Sequence, residues 1–185
     1  MATTPTTSAI TTTWKLDPVH SHAEFKIRHM MISNVKGSFS GLSGVLTEHA
    51  TDATLSSVDA SIDVSTINTG DAQRDGHLKT AEFFDVEKYP TMSFKSTQVK
   101  PNGDGGYDVT GDLTLHGVTR QHTFAVEGPT PPMKDPWGNL KIGLSATGKI
   151  NRKDFGLNWN AALETGGILV GEEVNITLEI QFVKA

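Results

Sequence analysis

The stretch Val174, Asn175, Ile176, Thr177, Leu178, Glu179, Ile180, Gln181, Phe182 alternates apolar and polar side chains at every step, and Ala23, Glu24, Phe25, Lys26, Ile27, Arg28 does the same near the other end of the chain. Successive side chains of an extended chain point to opposite faces, so a period of two predicts strands with one apolar and one wet face. The pattern returns at Val58, Ala60, Ile62 and Val64, at Met92, Phe94 and Ser96, and at Tyr107, Val109, Gly111, Leu113 and Leu115. It returns again through Val118, Arg120, His122, Phe124 and Val126, and through Ile142, Leu144, Ala146 and Ile150. A sheet with one apolar face must cover it. With little helical sequence to do so, the sheet is expected to curl and close on itself, which also removes its edges. The expectation is an all-β chain forming an antiparallel barrel of about eight strands, wide enough to hold one small ligand if side chains do not fill it.

Turn chemistry sets the punctuation. A first strand carries Trp14 and Leu16, pauses at Asp17 and Pro18, and resumes to about Met31. Gly37, Gly41 and Gly44 suit bent or bulged strands at a barrel corner. From about Asp71 to Phe84 the alternation fails, and Leu78 with Phe83 and Phe84 reads as one short helix and a turn. Asn102 to Gly106 and His116 with Gly117 are hairpin turns built from residues that tolerate positive φ. Pro129 to Gly138, with four prolines and Trp137, is expected to be a loop. No internal repeat is present.

The 185 residues suit one domain, and a net charge of −5 offers no basic surface to neutralise phosphates, so nucleic acid is not an expected partner. The absence of cysteine excludes disulfides, thiol catalysis and cysteine-ligated metal. No apolar run approaches the roughly 20 residues that span a bilayer as a helix. Residues 1–13 are dominated by Thr, with Ala, Ser and one Pro, and lack the positive start and apolar stretch of a secretory signal. They are expected to form a disordered tail ahead of a domain over 14–185, and the expected location is cytoplasmic.

Trp14, Leu16, Asp17, His20, Ser21, Phe25 and His29, followed by Gly37, Phe39 and Gly41, resemble the opening of the YceI-like family of lipocalin-like polyisoprenoid-binding proteins. Thr69, Gly70, Arg74, Asp75, His77, Leu78, Phe83 and Phe84, then Tyr89, Pro90, Phe94 and Ser96, resemble its central motif. Gly111 to Thr114 with Gly117 to Thr119 resemble its late hairpin, and Arg152, Asp154, Phe155 and Gly156 complete the set, in order, over about 14–182. The resemblance implies an extended, lipocalin-like up-and-down barrel with an elongated apolar cavity that takes a polyprenyl chain, an isoprenoid quinone or a polyprenyl phosphate. It implies a carrier or sequestering protein without catalysis and without a cofactor. Many relatives are periplasmic. His122 stands where the family tends to have an apolar residue, and is expected to bring a polar group to the cavity wall.

The candidate walls of such a cavity are Phe25, Ile27, Phe39, Ile62, Leu78, Phe83, Phe84, Phe94, Leu113, Leu115, Phe124 and Leu144, with His29, Arg74, His77 and His122 as polar contacts. Each buried methylene contributes about 0.8 kcal/mol, so tail length would be weakly specified and polar groups near the mouth would select the head. His29 shares a face with Phe25 and Ile27, whereas His20 and His22 lie an odd number of positions away, so in an unbroken strand the three cannot share a metal. No metal site is expected. His20 and Ser21 are expected to bond the loop backbone after Pro18, and Arg74 to pair with Asp75 or Asp154 as a latch over the barrel mouth. The alternative reading is an enzyme of the same fold using His29, His77 or His122 with Asp75 on a prenylated or other apolar substrate. No phosphate loop, nucleophile elbow or kinase constellation accompanies the Asp154, Phe155, Gly156 tripeptide. A homodimer and a transient membrane contact stand as open expectations.

Overall fold

A computed structural model describes residues 10–185. Eleven strands form one antiparallel sheet: β1 (Thr11–Leu16), β2 (His22–His29), β3 (Ser33–Phe39), β4 (Gly41–His49), β5 (Ser57–Asp63), β6 (Thr91–Pro101), β7 (Tyr107–Leu115), β8 (Val118–Glu127), β9 (Met133–Lys134), β10 (Leu140–Asn151) and β11 (Val170–Lys184). The one α-helix among the described residues, α1 (Ala72–Leu78), falls where the alternation fails. Short 3₁₀ turns at Ala53–Leu55, Val64–Thr66 and Arg152–Phe155 were not expected from the sequence.

Neighbour pairings turn these strands into an eight-position closed barrel. β1 and β2 lie end to end along β11, and their partners β4 and β3 are likewise two halves of one strand bent at Ser40. From there the order is sequential through β5, β6, β7, β8 and β10, and β10 closes the ring on β11 over Lys141–Asn151 against Glu173–Val183. The expected barrel is therefore the fold. The tiny β9 pairs only with the start of β10, inside the segment read as a loop. Thr11, Thr12 and Thr13 pair with β4, so the ordered domain begins before Trp14, and residues 1–9 of the expected tail lie outside the described residues.

Two breaks make the long positions possible. At the β1–β2 corner, Asp17 accepts from the backbone N–H of Val19 and its carboxylate meets both His20 Nδ1 at 2.9 Å and Lys141 Nζ at 3.1 Å. Burial alone would raise the Asp17 carboxyl, but these hydrogen bonds and the Lys141 charge outweigh it and hold the pKa at about 2. Ser21 is buried and exchanges bonds with Gln181 of β11, donating to its carbonyl and accepting from its N–H. Neither His20 nor Ser21 thus makes the expected bond to the loop backbone. At the β3–β4 bend the N–H groups of Ser40 and Gly41 both donate to Thr66 Oγ1; nearby, Gly37 faces Phe25 across the strands, and a Cβ there would collide with the Phe25 ring.

One seam is thin. β8 pairs with β10 only through Ala125, Val126 and Glu127, and its earlier residues diverge. The gap is bridged by the Arg152–Phe155 turn, whose Asp154 carbonyl accepts from Arg120 Nε and whose Phe155 carbonyl lies 3.0 Å from His116 Nδ1.

Candidate ligand cavity

The inward side chains of the barrel do not meet in the middle, and a cavity of about 780 Å³ runs between them. The period of two accounts for its apolar lining: Phe25 and Ile27 from β2, Ile62 from β5, Phe94 from β6, Leu113 and Leu115 from β7, Phe124 from β8 and Leu144 from β10 all face it. Phe39 joins them from β3. From the α1 region, Arg74, His77, Leu78, Phe83 and Phe84 close one end. Buried clusters pack around this space, with Trp14, Ile142 and Phe182 toward the chain termini and Leu115, Phe155 and Leu157 toward the other end.

His29 lines the cavity as its strand parity requires, opposite Val170. His77 sits among rings, 5.0 Å from both Phe83 and Trp159 in edge-to-face contact, while its Nε2 meets the Glu82 carboxylate. Arg74 does not form the expected latch with Asp75 or Asp154. Its Nε donates to Thr69 Oγ1 at 2.7 Å and its Nη2 to the Thr69 carbonyl at 2.8 Å. Asp75 Oδ1 accepts from the N–H and Oγ1 of the same Thr69. Thr69 is therefore the pin that holds α1, and Asp71 caps the helix by accepting from the Arg74 N–H.

His122 does not reach the cavity. It lies in the seam where β8 leaves β10, its ring 4.5 Å from Phe124, and its Nε2 would stand 2.6 Å from a Cβ placed on Gly148. Nε2 is buried and is the unpartnered buried side-chain polar atom among the described residues. Burial lowers its pKa, favouring the neutral ring. Of the residues named for an enzymatic site, His29 and His77 line the cavity, while His122 lies in the seam and Asp75 is bonded to Thr69.

Sequence reasoning passed over several wall residues. Val174, Ile176, Leu178 and Ile180 of β11 line the cavity, and their alternation was the very signal that predicted the strand. Trp159 lies in irregular chain with no period to reveal it. Arg152 was expected to anchor a barrel end, and it does: buried beside the cavity, it donates to the carbonyls of Leu157, Trp159, Val170 and Gly171. Burial lowers its pKa and the Glu172 charge opposes that, yet among the described residues no carboxylate is within ion-pair distance.

Residues 14–182 match the model of the YceI-like domain. The chain belongs to the YceI-like family. A UPF0312 protein of Staphylococcus aureus strain N315 is 36% identical over 171 residues, covering 92% of this chain and 97% of that one. The crystal structure of the Campylobacter jejuni YCEI protein is 30% identical, with a TM-score of 0.71 over 86% of this chain and 91% of that one. A polyisoprenoid binding domain from Saccharophagus degradans shares the fold at 18% identity and a TM-score of 0.67, over 93% of this chain and 98% of that domain.

Proposed function

We propose that this family member binds one long isoprenoid lipid inside the barrel and serves as a noncatalytic carrier or sequestering protein, taking a polyprenyl chain, an isoprenoid quinone or a polyprenyl phosphate. The observation that carries the reading is the continuous apolar cavity of about 780 Å³, walled by side chains from around the whole barrel. That volume lies within the usual range for pockets that enclose a small molecule. Burying a tail at about 0.8 kcal/mol per methylene supplies affinity without hydrogen bonds. The name of the Saccharophagus degradans domain, which has the same fold, points to the same ligand class. His29, Arg74 and His77 lie on the cavity as candidates to receive a polar head, and the surface of the wall is mainly apolar.

The test is native mass spectrometry of protein purified without detergent, then of protein stripped with organic solvent and offered a long-tail ubiquinone. A retained lipid adduct, lost on stripping and replaced by one quinone per chain, supports the reading. Protein that emerges unliganded and takes up neither the quinone nor a polyprenol overturns it.

A further inference from the structure

The β2–β3 hairpin breaks two rules of its own local structure. Its three-residue loop, Met30 to Ile32, places Met30 at φ 50° and Met31 at φ 62°, with Ile32 N–H bonded to the His29 carbonyl, a left-handed backbone that ordinarily falls to Gly, Asn or Asp. Long side chains are costly in that left-handed region, so the two methionines serve something other than the turn. They do not serve the core either: Met30, Met31 and Ile32 are 41%, 59% and 77% exposed. Ile168, from the loop that packs beside Met31 at Gly167, is exposed with them.

The second broken rule is electrostatic. Lys26 and Lys36 are direct cross-strand neighbours, an arrangement that repels. With Arg28 they leave this ribbon three cations against the single carboxylate of Glu24, in a chain whose net charge is −5. None of the three cations is in an ion pair among the described residues. An apolar tip on a basic stem is what an anionic lipid surface selects, because the tip enters the acyl boundary while the stem meets head groups. The tip also continues into the cavity: Met30 N–H bonds the carbonyl of Leu169, and both Leu169 and His29 line the lipid space.

We propose that Met30, Met31, Ile32 and Ile168 form a docking crown that seats this end of the barrel on an anionic bilayer, placing the α1 end of the cavity against the membrane for exchange of its lipid. The exchange step rests on the lipid-carrier reading; the docking does not. Another exposed apolar group, Met133 with Trp137, hangs beside the Asp17 and Asp135 carboxylates and has no such cationic surplus.

The experiment compares wild type, the triple variant Met30→Asn, Met31→Gly, Ile32→Ser, and Trp137→Ser. Each is sedimented with vesicles of phosphatidylcholine containing about one third phosphatidylserine, and separately offered a short-tail quinone from solution. Wild type and Trp137→Ser are expected to sediment with the vesicles, and the triple variant to bind them about tenfold more weakly or worse. Because Asn and Gly tolerate positive φ at these two positions, the triple variant keeps its melting midpoint and its quinone uptake. Equal sedimentation of wild type and triple variant, no sedimentation of wild type, or loss confined to Trp137→Ser each overturns the crown. A wild-type dimer that the triple variant dissolves, with no vesicle binding by either, assigns the tip to a second copy and overturns it too. Vesicle binding without any quinone uptake would leave the crown standing and remove the carrier reading instead.

Discussion

His122 fills the seam where β8 parts from β10, its ring against Gly148 and its buried Nε2 without a hydrogen-bond partner among the described residues. Its lowered pKa has a defined consequence. The unfolded chain takes up a proton near the ordinary value of 6.5, whereas the buried ring resists it. The contribution is therefore fully present above that pH and lost as pH falls toward the folded-state value. His122→Leu is expected to flatten the fall in melting temperature between neutral and mildly acid pH, as read by calorimetry; an unchanged acid slope would mean that the ring titrates freely. Asp17 acts further down the scale. Its folded pKa of about 2, against an ordinary 3.8, gives stability that is present above pH 4 and lost as pH falls through 2. Asp17→Asn should remove that limb from the denaturation profile while lowering stability at neutral pH.

Elements were legible where a period existed and opaque where contacts replaced it. Alternation located the long strands, and its failure after Asp71 located α1. What holds α1 was not visible, because Arg74, Asp75 and their shared anchor Thr69 are joined through hydrogen bonds that no spacing announces. The expected Arg74 latch used the right residue and the wrong partner: a carboxylate was the natural guess for a guanidinium, and a threonine took its place. Thr69→Val removes the hydroxyl that receives Arg74 and donates to Asp75. Since α1 is only seven residues long and contributes no fully buried residue, its melting costs the barrel little. The expected outcome is a near-normal melting midpoint with faster release of a fluorescent lipid probe, measured by stopped flow. Unaltered release would show that α1 does not gate the cavity.

At the scale of the molecule, closure follows from having one apolar face and, among the described residues, a single seven-residue helix too short to cover it. The hollow did not follow from that, since the same alternation builds a barrel with a filled interior. Large side chains such as Phe25 and Phe94 stand against wall glycines, Gly37 and Gly111, leaving the axis open. Filling that axis is the direct test. Leu113→Trp should weaken quinone binding at least tenfold in a titration, at a packing cost of about 1 to 3 kcal/mol. Undiminished affinity would place the tail elsewhere. The pairing of β1 with β11 carries a last implication. Trp14 faces Lys184, and the Ala185 N–H bonds the Thr13 carbonyl, so both ends of the described chain leave from one rim. The fifteen residues of β11 separate that rim from Met30 by roughly 50 Å. A tag, tether or fused partner joined after Ala185 would therefore project from the far pole, and a surface that captures it would hold the molecule from behind.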